Sequence, residues 1–221
     1  MKPTRAAWFM IVGLAWMVLR GILGGMIPLF DPQHVAQHGG LLLLIPLMSV
    51  IASFTLPLFF YSFRRFHVFE GQPVLQIATS VAVAASVVSC VLVVFSFVGL
   101  VGSRDPSGGW LGRIGWATNA VPLVLVAAIF FFLVVFARHC RDAAQLRSAA
   151  VAAALGAIYP GMLMTASLLY SRLPESMSWF PGFSQSVAAR ILGLASAASL
   201  LWFLETFART YDRESFGKPP S

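Results

Sequence analysis

The sequence predicts an all-α, polytopic membrane protein in which a single domain over residues 1–221 forms a bundle of six transmembrane helices. The composition is the first observation. Of the 221 residues, 58% are hydrophobic and 10% are charged, with a mean hydropathy of +0.82, whereas a soluble domain carries about a quarter charged residues. The second observation is the presence of six apolar stretches near the length of a spanning helix, about 20 residues. The third is the concentration of Lys and Arg in alternate connections between those stretches.

The six apolar stretches predict helices whose ends follow the changes in composition. They cover about residues 8–30, 41–62, 75–101, 120–137, 148–170 and 187–208. The outer connections are rich in Gly, Pro and Ser, and irregular backbone of this kind cannot face lipid. The stretches show no repeat of fixed period.

The first stretch follows a basic start, which is also how a signal peptide begins. Arg20 interrupts its apolar run and no cleavage site of the A-x-A type follows, so we expect an uncleaved first helix. The second stretch contains Pro46 and Pro57, which lack a backbone N–H and are expected to kink the helix. The third stretch is the longest and carries Cys90, which we expect to be unpaired, as is Cys140 in a basic connection.

The fourth stretch is the shortest, and the fifth and sixth are rich in small residues. In the fifth, Ala150, Ala154 and Ala157 recur at helical spacing beside Gly156. Small residues let helices pack closely in lipid, so we expect this helix at the centre of the bundle, with a kink at Pro160. The sixth offers a similar flat surface around Gly193.

The distribution of Lys and Arg predicts the orientation of the chain. Six crossings place both termini on one side of the membrane, and cytoplasmic connections are enriched in these residues. One face carries Lys2, Arg5, Arg64, Arg65, Arg138, Arg141, Arg147, Arg209, Arg213 and Lys218, and the other carries Arg104, Arg113 and Arg172. The sequence therefore predicts cytoplasmic N- and C-termini in the cell (inner) membrane. The net charge of +7 reflects this solvated face, and we expect no nucleic-acid partner.

Two arginines lie inside apolar stretches, where a charge costs about 2.5–3.5 kcal/mol on insertion scales. Arg20 lies near the middle of the first stretch and Arg190 just inside the outer end of the sixth. Together they favour an outer cationic pocket that would suit a haem propionate, a lipid phosphate or a small carboxylate. Alternatively, Arg20 bonds to carbonyls of its own helix and Arg190 meets phospholipid headgroups.

The connection DPQHVAQHGG holds a second candidate site. His34 and His38 would share one face of a helix, because they are four residues apart. With Asp31 they form a set of imidazole and carboxylate groups that could bind a metal ion. A proline and two glycines in the same connection instead favour a short polar turn between two helices. The sequence leaves the metal site and the turn as open alternatives.

Residues 16–50 resemble the first two helices of the haem-copper oxidase catalytic subunit. The resemblance lies in LRGILGGMIPLFDPQHVAQHGGLLLLIPLMSV, in which the pair His38-Gly39 opens the second helix, as a His-Gly pair does in that family. The resemblance implies that His38 is an axial ligand of a haem near the outer side of the membrane. The family places further ligating histidines on later helices, but no histidine follows His139 here. The resemblance therefore implies a reduced relative or an accessory subunit.

These features favour an integral membrane subunit or binding module of a larger membrane complex, related to electron transfer and in contact with haem, quinone or lipid. Its expected partners are the bilayer and other membrane subunits, and haem is its candidate cofactor. The alternative is a transporter or channel for a small solute or anion, with Arg20 and Arg190 in its outer pocket. A membrane enzyme acting through Asp31, His34 and His38 is a third hypothesis. No Ser-His-Asp arrangement or nucleotide-binding motif favours catalysis.

Overall fold

The computed structural model describes residues 3–26, 47–65, 71–102, 115–140, 142–162 and 187–216. Within these residues the chain is helical and has no β-strand, so the predicted all-α class is confirmed there. The helices are α1 (Pro3–Met26), α2 (Leu47–Arg64), α3 (Pro73–Gly102), α4 (Gly115–His139), α5 (Ala143–Val151) and α6 (Val187–Phe216). A π-helical segment, Ala152–Ile158, continues α5 and is followed by a helical turn at 159–162.

Four helices in the described part of the chain are long and apolar enough to cross a membrane. The apolar part of α1, Thr4–Leu19, is shorter than the roughly 20 residues that a crossing needs. The predicted stretches at 8–30 and 148–170 lie only partly within the described residues. The four helices of spanning length are Leu47–Arg64, Pro73–Val98, Ala120–His139 and Ile191–Tyr211.

Several helices extend beyond the apolar stretches that predicted them. α1 already begins at Pro3, and α6 continues through polar sequence to Phe216. The predicted ends mark a change in side-chain polarity, but the backbone hydrogen bonds of a helix do not depend on that polarity. In the extended part of α6, Arg209 donates to the carboxylate of Glu205 one turn earlier, which is a favourable spacing for an ion pair on a helix.

Prolines accompany the two irregularities in the described helices. A proline cannot donate to the carbonyl four residues earlier, and its ring clashes with that carbonyl. In α2, Pro57 follows a turn at Phe54 that interrupts the helix. After α5, Pro160 follows the π-helical segment, a local widening that commonly marks a disturbed helix. The disturbances predicted at Pro57 and Pro160 are therefore present, whereas Pro46 lies outside the described residues.

The helices form a closed ring in which each packs against the next and α6 packs against α1. The amino-terminal parts of α1, α3 and α5 meet the carboxyl-terminal parts of α2, α4 and α6 in one buried core, so successive helices run antiparallel. We call this end of the bundle the aromatic end. It includes both the beginning of α1, at Ala6, and the late part of α6, at Tyr211.

The expected central position of the fifth helix is wrong. α5 and its π-helical segment occupy one place in the ring, between α4 and α6. Of the small residues that predicted the central position, Ala150 and Ala154 are exposed whereas Gly156 and Ala157 are buried, and Ala149 and Ala153 are buried as well. Both the exposed and the buried positions of this segment carry alanine, so the abundance of alanine did not identify the buried face.

Eight aromatic side chains fill the space between the three even-numbered helices at the aromatic end. The ring centroid of Phe63 on α2 lies 5.0 Å from that of Phe132 on α4 and 5.5 Å from that of Phe207 on α6. Most pairs in this aromatic cluster are edge-to-face or tilted, as the charge distribution of the rings favours. The even-numbered helices therefore meet through large side chains. The aromatic cluster consists of Phe59, Phe60, Phe63, Phe132, Phe136, Phe203, Phe207 and Tyr211.

The buried positions form a threefold repeat of helical hairpins, α1–α2, α3–α4 and α5–α6. Equivalent residues are about 72 positions apart. The first helix of each hairpin places a fully buried alanine at the aromatic end, since Ala6, Ala78 and Ala149 are each 0% exposed. The second helix places two phenylalanines, four residues apart, in the aromatic cluster; the pairs are Phe59 and Phe63, Phe132 and Phe136, and Phe203 and Phe207.

The register of this repeat is nearly constant. From the buried alanine to the first phenylalanine of the pair, each hairpin spans about 54 residues. The expectation that the chain has no repeat is therefore wrong. The repeat was missed because a few buried positions carry it, while the lipid-facing residues between them differ freely.

Small residues let the two helices of a hairpin approach closely. A Cβ atom added to Gly13 of α1 would collide with Thr55 of α2, and one added to Gly156 would lie 2.6 Å from Cγ of Leu200 on α6. Gly13 and Gly156 occupy equivalent places in the first and third hairpins, and the second hairpin has the buried Ala85 there. The close approach is thus a feature of the repeat.

Candidate functional site

The described residues include only part of the predicted sites. Asp31, His34 and His38 lie outside them, so the metal site and the haem ligand stay predictions. Arg20 and Arg190 belong to α1 and α6. Within the described ranges, no group of three or more His, Cys, Asp or Glu residues is placed to hold a metal ion.

The backbone brings Arg20 and Arg190 to similar heights on neighbouring helices. α1 and α6 pack against each other and run antiparallel, with Ala6 and Phe207 both in the core of the aromatic end. At a rise of 1.5 Å per residue, Arg20 is about 21 Å along its helix from Ala6, and Arg190 is about 26 Å from Phe207. Both positions therefore lie in the half of the bundle away from the aromatic end.

At the aromatic end, the three hairpins carry an arginine at the same position. Arg65, Arg138 and Arg209 each follow the second phenylalanine of their hairpin by two residues. All three are exposed. Each can reach back over one helical turn to the side chain four residues earlier, so the identity of that residue decides what the guanidinium group meets.

The residue four positions earlier differs between the three hairpins. The Arg65 guanidinium carbon lies 4.6 Å from the centroid of the Tyr61 ring, a cation–π contact. Arg209 donates to Glu205. Arg138, in the second hairpin, has Val134 one turn earlier. Val134 cannot accept a hydrogen bond or pair with a charge. Among the residues that the structure describes, Arg138 has no hydrogen-bond, ion-pair or cation–π partner.

An open groove of about 360 Å³ runs between α4 and α5 beside Arg138. Arg138 and Leu146 lie at one end of the groove, and Phe130 and Ile158 lie at the other. Its walls are apolar except at Arg138, and small residues such as Ala154 leave the space on the α5 side. The groove can therefore accept an elongated apolar group whose one end is anionic.

Cys140 follows α4 directly and packs against the core of the aromatic end. Its thiol donates to Oε1 of the buried Gln145 over 3.5 Å. Burial, with a smaller contribution from the charge of Asp142, raises the pKa of the Cys140 thiol to about 12. The thiol therefore stays protonated near neutral pH, and only a thiolate acts as a nucleophile or metal ligand. Cys90 and Cys140 are both unpaired, as the sequence predicted.

Sequence reasoning missed the aromatic cluster and the set of three arginines. The signal was a pattern of two phenylalanines four residues apart with an arginine two residues later. It occurs in the carboxyl-terminal part of each even-numbered helix, in FFYSFRR, FLVVFAR and FLETFAR. In the sequence alone, the arginines indicate only the orientation of the chain, and the phenylalanines contribute only to the hydropathy of the apolar stretches.

Comparison with protein-family models, with curated proteins and with solved structures found no match to this chain. The resemblance of residues 16–50 to the haem-copper oxidase catalytic subunit depends on His38-Gly39, which lies outside the described residues, and stays a prediction. The function is therefore argued from the bundle itself.

Proposed function

We propose that this chain is a membrane transporter or channel for a small anionic solute, with its three hairpins arranged around the path of the solute. The threefold repeat carries this proposal. Many transporters are built from internal repeats, and in some of them the repeats are related by an axis along the membrane normal. Three equivalent hairpins that close into a ring support such an axis, because a ring has one centre that all three share.

The aromatic cluster is the closed gate in this proposal. Phe63 contacts both Phe132 and Phe207 across the space between the even-numbered helices. An apolar constriction can stop an ion by excluding water, without any charged group. Passage of a solute then requires α2, α4 and α6 to separate at the aromatic end and to break these ring contacts.

The proposal includes an orientation of the protein in the membrane, which the distribution of basic residues supports. The chain crosses the cell (inner) membrane six times, and both termini lie in the cytoplasm, because Arg65, Arg138 and Arg209 belong to the face with the larger number of basic residues. The aromatic end is then the inner end. Arg20 and Arg190 lie in the outer half, where their charges attract the anion into the ring.

Uptake by proteoliposomes that contain only this chain tests the proposal. The probes are radiolabelled inorganic phosphate and lactate, two anions of different geometry. We expect uptake of at least one of them above that of protein-free liposomes, abolished in Arg20→Leu and partly retained in Arg20→Lys. Arg5→Gln, on the same helix but at the aromatic end, is the matched control and should transport normally. Absence of uptake by folded protein, or equal uptake by Arg20→Leu, would overturn the proposal.

A second candidate function is a non-catalytic subunit or binding module of a larger membrane complex, related to electron transfer and in contact with haem, quinone or lipid. It is favoured by the composition of the core, which within the described residues buries aromatic rings, alanines and a few polar groups but no charged side chain. A core of this kind suits a subunit that holds one conformation, because its described residues include no charged group that would have to bind and release a solute. Extraction from native membranes in a mild detergent tests it: co-migrating subunits and a Soret band that His38→Ala removes are expected. A colourless chain that migrates alone would count against it.

A further inference from the structure

We propose that the groove between α4 and α5 binds one anionic phospholipid, with the headgroup held by Arg138 and an acyl chain lying along the groove. This site lies on the outside of the ring and does not depend on transport through its centre. Three observations support it: the difference between three equivalent arginines, the chemistry of the groove and the depth of the groove in the membrane.

The repeat provides an internal comparison for Arg138. In the equivalent positions, the Arg65 guanidinium lies over the ring of Tyr61 and Arg209 pairs with the carboxylate of Glu205, so both have a side-chain partner one turn earlier. Only the middle hairpin has an aliphatic residue, Val134, one turn before its arginine. The guanidinium of Arg138 therefore keeps its donors for a group outside the described chain, and a guanidinium binds phosphate in a bidentate geometry.

The groove matches the remainder of a phospholipid. Apolar walls extend from Arg138 toward Phe130 on α4 and from Leu146 toward Ile158 on the other side. At a rise of 1.5 Å per residue, the path is about 12 Å long on the α4 side and about 18 Å long on the other side. A single leaflet of the hydrocarbon core is about 15 Å deep, half of its roughly 30 Å thickness. A molecule with its charge at Arg138 and an apolar chain of one leaflet therefore fills the groove.

The position of the groove favours a lipid over a protein helix. The α4 side of the groove belongs to the segment Ala120–His139, which has spanning length and composition, and Arg138 lies at the very end of that segment. Lipid headgroups lie at this level and acyl chains extend from it toward the middle of the bilayer. A protein helix laid in the same groove would place its own side chains, and not a phosphate, against the arginine.

Native mass spectrometry of the full-length chain, after exchange of bound lipids, tests the site. The probes are phosphatidylglycerol, which is anionic, and phosphatidylcholine, which is zwitterionic. We expect one phosphatidylglycerol to be retained about tenfold more tightly than phosphatidylcholine, and we expect Arg138→Gln to remove this preference. Arg65→Gln and Arg209→Gln, which change the charge by the same amount at equivalent positions, should leave the preference intact.

Two further variants separate the headgroup from the acyl chain. Val134→Glu gives Arg138 the internal partner that Glu205 gives Arg209, and it should lower retention of phosphatidylglycerol as much as Arg138→Gln does. Ala154→Phe fills the exposed groove and should weaken both lipids. Equal losses in all three arginine variants would mean a general charge effect and would overturn the proposal. Displacement of phosphatidylglycerol by inorganic phosphate alone would also overturn it, as would Ala154→Phe releasing a co-purified protein without changing lipid retention.

Discussion

Helices meet in two different ways in this bundle: through small residues within a hairpin and through large rings between the even-numbered helices. Gly13 lies so close to Thr55 that a methyl group cannot be added without movement. Phe63, in contrast, reaches across a gap to Phe132 and Phe207. In lipid, both contacts depend on matched surfaces, because water is not present to drive apolar groups together.

The difference shows how the ring formed by the described helices can be filled with side chains at the aromatic end. The two helices of a hairpin approach each other closely where glycine or alanine lies between them. The alternate members α2, α4 and α6 do not pack side by side in this way, and phenylalanine is the residue that fills the space between them. Small and large residues are therefore both required, at fixed positions in every hairpin.

Truncation of Phe63 should have the largest effect on stability. Its side chain is 1% exposed and contacts rings from all three even-numbered helices. Phe63→Ala leaves a cavity that rigid neighbouring rings cannot close, and we expect a loss of about 3–5 kcal/mol in the free energy of unfolding. Unfolding by sodium dodecyl sulfate in mixed micelles, followed by circular dichroism, measures this loss. The control is Phe95→Ala, at an exposed position on α3, which should change the free energy of unfolding by less than about 1 kcal/mol. Equal losses in both variants would mean that the aromatic cluster is not specifically packed.

The thiol of Cys140 reports how tightly the edge of the aromatic end is packed. At pH 8, a thiol with a pKa of about 12 has roughly a thousandth of the thiolate found at the ordinary value of 9.0. In a Cys90→Ala background, we therefore expect alkylation by iodoacetamide to be about a thousandfold slower in the folded protein than in denaturant. Fast alkylation of folded protein would contradict the packing described for this end.

The same shift determines how stability should depend on pH. The folded pKa of Cys140 lies above its unfolded value, so the thiol stabilises the fold fully below about pH 9. This contribution is lost as the pH rises toward about 12, because the unfolded chain ionises first. The difference in free energy of unfolding between wild type and Cys140→Ser should therefore be smaller at pH 10 than at pH 7.

An added methyl group at Gly13 should have a smaller effect than the loss of the Phe63 ring. Gly13→Ala forces Thr55 to move away from α1, and overpacking of this kind costs about 1–3 kcal/mol. Gly193→Ala is the matched control, because a Cβ atom there meets nothing within 4 Å; it should be neutral or should stabilise α6 by up to about 1 kcal/mol. The same detergent titration measures both. A neutral Gly13→Ala would mean that the hairpin helices can separate freely, and the contrast between the two kinds of interface would be lost.

Sequence patterns predicted the helical class because hydropathy and the length of apolar runs depend on residue type alone. They did not predict which face of α5 is buried, since Ala149 and Ala150 are chemically identical and only the neighbouring helices distinguish them. They also did not predict that Val134 matters. Its significance appears only when α4 is aligned with α2 and α6 through the buried phenylalanines. The metal and haem predictions at His34 and His38 remain predictions, because they depend on a connection outside the described helices.

The packing of α6 against α1 has a consequence for how the protein is made. In this closed ring, α1 meets one of its two neighbours only after α6, which comes later in the chain, has been synthesised. Until then, the surface of α1 that packs against α6 has no partner within this chain. The ring therefore closes only once α6 has been synthesised, and variants of α6 should disturb the position of α1 as much as that of α6 itself.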